Sequence, residues 1–267
     1  MSQDLNGRTA LVTGAGRGIG AAIARALAND GASVILASRT IEQLEKVASE
    51  IEARGGCALA VATDMANPGE VRRLVDRGLD RFGGLDMLVS NAAADSLITP
   101  LIDMPLAGWR KLHSVNVEGT ITLLQSAGPH LLKQRSGSVL IVSSTLGLNG
   151  NPYSSAYGGS KAILNHITRT VAAEWGPSGV RVNALLPGPV ATERVRSVTE
   201  DTEKYAAIRT LMPLRRWPIA EDMVGPALFL LTDASACVTG HLLVVDCGLS
   251  AVAREAGFAV APRKTSA

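Results

Sequence analysis

Short apolar runs alternate with stretches of helical periodicity along almost the whole chain, and this rhythm constrains the fold more than any other feature. Thr9 to Thr13, Ser33 to Ala37, Ala58 to Ala62 and Met87 to Ser90 are near-continuous apolar runs of strand length. Gly20 to Asn29, Ile41 to Ala53 and Pro68 to Phe82 lie between them with helical spacing. Asp30-Gly31 and Arg54-Gly55-Gly56 close the first two, and Asn67 opens the third. Helices over Gly108 to Leu132, Tyr157 to Trp175 and Ala220 to Leu231 continue the pattern, with strands over Ser138 to Ser143, Arg181 to Leu185 and Leu242 to Asp246. Such alternation predicts βαβ units and a parallel sheet. Strands without polar alternation predict a sheet covered on both faces. The expected fold is α/β, a doubly wound parallel sheet with helices on both sides.

No Pro/Ser-rich linker, composition break or internal repeat divides the 267 residues, so one domain spanning 1–267 is expected. Two stretches fall outside the rhythm: about 187–218, long and charged, a candidate substrate loop, and a tail over about 250–267. With 46% hydrophobic residues the chain can bury a sizeable core. Lys plus Arg number 26 against 24 Asp plus Glu, a balance that argues against nucleic acid or an anionic membrane as main partner. Cys57, Cys237 and Cys247 form no metal or redox pair, and no signal peptide or membrane-length apolar run is seen, so a cytoplasmic protein is expected. His113, His130, His166 and His241 have no ligand spacing and no metal site is expected. Hydrolase chemistry has no support, for there is no Gly-x-Ser-x-Gly elbow.

The first strand runs into Thr13-Gly14-Ala15-Gly16-Arg17-Gly18-Ile19-Gly20. Glycines at a strand-to-helix turn let backbone approach a pyrophosphate, and the helix N-terminus offers free N–H groups. The strand ends at Thr13, which selects the register Gly14, Gly18, Gly20 over Gly16, Gly18, Ala21. The second strand ends in Ser38-Arg39, where an NAD site usually carries an acidic side chain for the ribose 2′-OH. Arg39, with Arg17 in the turn, suits a 2′-phosphate instead, so NADP(H) is expected over NAD(H). Asp64, before Met65 at the end of the third strand, either accepts from the adenine amine or caps the next helix.

Tyr157 and Lys161 stand four apart, on one face if the stretch is helical. An ammonium beside a phenol favours the phenolate, so Tyr157 becomes a proton donor and acceptor near neutral pH.

Gly14-x-x-x-Gly18-x-Gly20, Ser90-Asn91-Ala92-Ala93, Asn116, Ser143-Ser144, Tyr157-x-x-x-Lys161 and Pro187-Gly188 occur in that order. Together, over roughly residues 5 to 249, they resemble the short-chain dehydrogenase/reductase family, of Rossmann fold. The resemblance implies that Tyr157 is the catalytic acid/base, that Lys161 lowers its pKa and binds the nicotinamide ribose, and that Ser144 donates to the substrate carbonyl. It implies that Asn116 holds a water of a proton relay and that Asn91, with Ala92, supports the backbone near the adenosine ribose. Pro187, Gly188, Val190 and Thr192 would touch the nicotinamide end. Ile19 and Met65 belong to the same cofactor segments. Two departures stand out: Ser90-Asn91-Ala92-Ala93 replaces Asn-Asn-Ala-Gly, and Asp246-Cys247-Gly248 replaces Asp-Gly-Gly.

The expected function is an NADP(H)-dependent oxidoreductase that interconverts a ketone and a secondary alcohol, acting on a small-molecule carbonyl or alcohol as a homodimer or homotetramer. One alternative is a 3-oxoacyl-thioester reductase of the acyl-carrier-protein type. Ser178, where such reductases often carry Arg ahead of the Gly179-Val180-Arg181-Val182-Asn183 strand entry, weighs against it. An alternative of another class is a non-catalytic NADP(H) sensor or scaffold, which typically loses part of the Ser, Tyr, Lys set. The substrate pocket is expected from Ala94 to Leu97, Leu146 to Tyr153 and the loop to Trp217. In that loop Leu211, Met212 and Trp217 lean apolar, and the arginines Arg194, Arg196, Arg209, Arg215 and Arg216 either hold an anionic substrate or, with Glu193, Glu200, Asp201 and Glu203 interleaved, form a solvated face, the reading preferred here. Tyr153 is read as pocket wall or loop packing.

Overall fold

All seven strands hydrogen-bond into one parallel sheet in a computed structural model of the chain, which describes residues 4–95, 97–193 and 200–252. They are β1 (Thr9–Thr13), β2 (Ser33–Ser38), β3 (Cys57–Ala62), β4 (Met87–Ser90), β5 (Gly137–Val142), β6 (Val180–Pro187) and β7 (Leu242–Val245). The order across the sheet is β3-β2-β1-β4-β5-β6-β7. β1 pairs with β2 on one side, Val12 opposite Leu36, and with β4 on the other, Val12 opposite Val89. The chain therefore reverses its winding direction between β1 and β4. A crevice opens outside the carboxyl ends of such a pair, where doubly wound sheets bind ligands.

Both faces are buried, which is why the strands carry no polar alternation. On one face Val12, Leu36 and Leu140 pack under α1 (Gly18–Asn29) and α2 (Ile41–Glu52), with Ile23, Leu27 and Leu44 fully buried. Leu11, Ile35 and Leu88 face the other way, onto α3 (Pro68–Phe82), α5 (Gly119–Gln134) and α6 (Ser155–Trp175). Asn67 opens α3 as the spacing predicts: its Oδ1 accepts from Gly69 N at 3.0 Å and Glu70 N at 3.3 Å, ahead of Pro68.

Three helical expectations change. The stretch expected as one helix from Gly108 is α4 (Leu106–His113), a wide i→i+5 turn over Ser114–Glu118, and α5. The extra residue in that turn rotates Asn116 and Val117 into the interior. The segment from 187 to 218 is not all loop, since Thr202–Leu211 forms α7. Its Tyr205 stacks on Trp217 with ring centroids 5.2 Å apart, and the Trp217 indole N–H donates to Tyr205 O at 3.1 Å. Met212 and Trp217 are buried by this packing and Leu211 is exposed. The last helix is a 3₁₀ turn over Ala220–Met223 leading into α8 (Val224–Leu231). Arg194 and Arg196, Ser96, and residues 253–267 with the greater part of the tail lie outside the described residues.

Candidate active site

The turn after β1 is held by what its glycines lack. Gly14 and Gly18 take φ of +65° and +56°, the left-handed region. Gly20 has ordinary φ, but a Cβ there would lie 2.3 Å from Gly14 O and 2.5 Å from Asn91 Nδ2. Asn91 fixes the turn from across the crevice: its Nδ2 donates to Thr13 O at 2.9 Å and Gly14 O at 3.2 Å. Asn91 N and Ala92 N donate back to Thr13 Oγ1 at 2.9 and 3.1 Å. Thr13 carries this stitch, and nothing in the sequence singles it out.

Behind the stitch lies a cleft of about 670 Å³ between the carboxyl ends of β1, β2 and β4. Of the expected cofactor residues, Gly14, Arg17, Gly18, Ile19, Ser38, Arg39, Asp64, Met65, Asn91, Ala92 and Thr192 line it. Gly20 is buried beneath it. Pro187, Gly188 and Val190 do not line it. Gly188 N donates to Val245 O at 3.2 Å, and Val190 is buried. Thr192 is carried by this segment across the turn, its Cγ2 3.5 Å from where a Gly18 Cβ would stand.

The fit to a dinucleotide rests on three features. Arg17 is the N-cap of α1, extended at φ −160°, and no side chain caps the helix, so its first N–H groups are available to a phosphate. Arg17 and Arg39 are exposed, and neither has a carboxylate partner among the described residues. Asp64 does not cap α3: its Oδ1 accepts from Ala66 N at 3.0 Å, its own N–H donates to Glu70 Oε2 at 2.7 Å, and its side chain stays at the cleft.

Beside the cleft, α6 is bolted to the end of β5. Lys161 is 2% exposed, and its Nζ donates to Val142 O at 2.8 Å. Ser143 Oγ donates to Lys161 O at 3.2 Å. The ammonium stands 5.6 Å from the centroid of the Tyr157 ring, an attractive placement over a π face. Ser144 follows β5, its Oγ accepting from Leu146 N at 3.2 Å. Gly158 lets α6 close on this turn, for a Cβ there would lie 2.9 Å from Leu146 O. Asn165 Nδ2 donates to Gly147 O at 3.1 Å and clamps the same turn from one helical turn beyond Lys161.

Asn116 joins the two halves. It is fully buried, its Oδ1 accepts from Ala94 N at 2.8 Å, and its Nδ2 donates to Ser160 Oγ at 3.0 Å. Ser160 O–H donates in turn to Tyr157 O at 2.7 Å. Thr120 Oγ1 donates to Asn116 O at 2.8 Å, so the 2.9 Å contact between Ser90 and Thr120 hydroxyls has Ser90 as donor. The Ser90 departure from the family motif is thus the start of a hydrogen-bond chain through β4 and α5 to Asn116. Sequence reasoning missed Ser160, although it sits inside the Tyr157-x-x-x-Lys161 motif.

Tyr153 is 58% exposed at the rim with φ +66°, and its carbonyl accepts from Thr99 N at 3.0 Å. Arg209, Arg215 and Arg216 of the 187–218 segment are all exposed; Arg216 makes a two-pronged pair with Asp222, at 2.6 and 2.8 Å, and Arg215 donates to Thr210 O.

Comparison with known proteins agrees. The family model described as "Enoyl-(Acyl carrier protein) reductase" matches residues 14–250. The chain is 37% identical over 245 residues to cis-4-hydroxycyclohexanecarboxylate dehydrogenase of Sinomonas cyclohexanicum, covering 92% of this chain and 97% of that one. It superimposes on the gluconate 5-dehydrogenase of Burkholderia cenocepacia in complex with NADP and tartrate with a TM-score of 0.89 at 31% identity, over 93% of this chain and 97% of that one. An NAD+-bound xylitol dehydrogenase matches with a TM-score of 0.87 at 29% identity, over 91% and 99%. The chain belongs to the short-chain dehydrogenase/reductase family, and it is an oxidoreductase of the CH–OH/C=O type.

Proposed function

We propose that this short-chain dehydrogenase/reductase prefers NADP(H) and interconverts a ketone and a secondary alcohol with Tyr157 as acid/base, within one catalytic domain. The observation that carries the cofactor preference is the meeting of Arg17 and Arg39 in one cleft without carboxylate partners, where a 2′-OH reader would need an acid. The test is the ratio of kcat/KM with NADPH to that with NADH; a value below one refutes the preference.

Gly14, Gly18, Gly20 and the N-terminus of α1 would hold the pyrophosphate, Arg17 and Arg39 the 2′-phosphate, and Asp64 and Met65 the adenine side. The bound nicotinamide supplies or accepts the hydride. In reduction, Ser144 and Tyr157 hydroxyls donate to the substrate oxygen, and Tyr157 gives up its proton as negative charge develops there. Lys161, anchored on Val142 O, holds its positive charge beside the phenol and stabilises the phenolate. Asn116 keeps the first turn of α6 in place through Ser160. Tyr157→Phe should cut turnover by about three orders of magnitude or more, the loss expected of a removed acid/base, while NADPH still binds in fluorescence titration. Turnover near wild type would refute the role.

The substrate is proposed to be a small carbonyl or alcohol compound, and screening NADPH oxidation over ketones, diketones, quinones and acyl thioesters would identify its class. We also propose a homodimer or homotetramer acting in the cytoplasm. Support for the compartment is that all three cysteines are free thiols. Light scattering on the purified protein would test the assembly.

A further inference from the structure

Thr40-Ile41-Glu42-Gln43 has the T-x-x-Q spacing of a capping box, in which the two end side chains satisfy backbone N–H groups at the start of a helix. The box does not form. Thr40 is the N-cap of α2, extended at φ −100°, and its side chain caps nothing. Gln43 makes no hydrogen bond among the described residues. Its side chain is turned across the glycine turn instead. A Cβ on Gly16 would lie 2.9 Å from Gln43 Cβ, 3.0 Å from Gln43 Oε1 and 3.2 Å from Ser38 Oγ. Gly16 is not among the positive-φ glycines, so this contact, and not its backbone, is what requires glycine there.

Thr40 and Gln43 line the same cleft as Arg17 and Arg39. The Ser38 hydroxyl is directed to Thr40 O at 3.2 Å, which fixes the loop on which Arg39 stands. An exposed amide that forgoes a local cap, crosses the glycine turn and lines one cleft with two arginines is placed for a ligand rich in acceptors. Rotation about its last torsion exchanges oxygen for nitrogen, so the end facing a phosphate donates.

We propose that Gln43 is a specificity-determining residue of the nucleotide site: its amide donates to the phosphate on the adenosine ribose, beside Arg17 and Arg39. The proposal rests on the NADP(H) reading of the cleft. Binding of 2′,5′-ADP and of 5′-AMP, measured by calorimetry at fixed ionic strength, tests it without turnover. Wild type binds 2′,5′-ADP more tightly. Gln43→Leu weakens 2′,5′-ADP about tenfold, the value of one charge-assisted hydrogen bond, and leaves 5′-AMP within about twofold. Gln43→Glu, which keeps the box spacing and adds a negative charge, weakens 2′,5′-ADP further. Equal losses for both ligands, or none, with Arg39→Leu still selective against 2′,5′-ADP, overturn the role of Gln43 and leave the cofactor reading standing. Equal binding of both ligands by wild type overturns both.

Discussion

Asn116→Ala tests the claim that one buried amide couples the cofactor loop to the catalytic helix. The substitution removes the acceptor of Ala94 N–H and the donor to Ser160 Oγ. Each lost bond, one buried and one partly buried, costs about 1–3 kcal/mol. The three heavy atoms removed leave a void that adds about 1 kcal/mol. The sum is about 3–7 kcal/mol, and at about 2–4 °C per kcal/mol for a chain of this size the unfolding midpoint should fall by about 6–28 °C.

Asn116→Asp separates the two bonds. The acid keeps the acceptor for Ala94 N–H but donates to Ser160 only while protonated. Burial raises the pKa of a carboxyl, so the folded state binds a proton over a range in which the unfolded state does not. Where the folded protein holds more protons, stability falls as pH rises. The deficit of Asn116→Asp should therefore be small near pH 5 and grow towards pH 8. Thermal melts followed by circular dichroism at both pH values, with wild type and Asn116→Ala beside it, give the readout. A midpoint for Asn116→Ala within about 2 °C of wild type, below the smallest effect just worked out, would refute the coupling. So would an Asn116→Asp deficit that does not change with pH.

Arg181 donates to Leu230 O, Thr232 O and Ser235 Oγ at 2.7–3.0 Å and closes the carboxyl end of α8; Arg181→Met should cost about 3 kcal/mol in denaturant unfolding, several charge-assisted bonds partly offset by packing, and a change under about 1 kcal/mol would show that the cap contributes nothing. Cys247 holds φ +57° where a glycine is at ease, so Cys247→Gly should raise stability by about 0.5–1 kcal/mol, the relief of a left-handed side chain less the gain in unfolded-chain freedom; a lower melting midpoint would contradict it. Arg216, donating two hydrogen bonds, holds the Asp222 carboxyl below its ordinary value of 3.8 against the opposing effect of burial. The pair's stabilisation is present above that value and lost as pH falls through the lower folded one, so Asp222→Asn should flatten the acid limb of a stability–pH curve, and an unchanged limb would show that the pair does not contribute.

The sheet is legible in the sequence because its inner strands are buried on both faces and must be apolar throughout, as Leu11 and Val12 show by facing opposite helix layers. The glycine turn is legible because close backbone approach leaves no alternative residue at Gly20. What is not legible depends on side chains meeting across the fold. The wide turn at Ser114–Glu118 interrupts a stretch whose periodicity reads as one helix, and it is held by tertiary contacts of Asn116 with Ala94 and Ser160. α7 is hidden by charge, since its apolar face is completed by Trp217 from six residues beyond its end. Gln43 carries a local signal that is only half right: the capping-box spacing marks the start of α2, but the side chain lines the cleft and does not cap the helix.

Two kinds of force therefore build the site, and they predict where change is tolerated. The cofactor half depends on absent side chains, so any added Cβ at Gly20 meets backbone within 2.3 Å and has nowhere to go. The half proposed to be catalytic depends on satisfied polar groups, with Lys161, Asn116 and Ser160 all buried and bonded. Three exposed side chains outside the cleft obey neither constraint. Ile98, Ile102 and Tyr153 are 73%, 91% and 58% exposed, and Tyr153 sits in a strained conformation. Substitutions at these positions remove little buried area and break none of the bonds that Lys161, Asn116 and Ser160 make. The boundary between what tolerates change and what does not runs between Tyr153, whose side chain makes no hydrogen bond among the described residues, and Tyr157, four residues on, whose helix is fixed through Ser160 and Lys161.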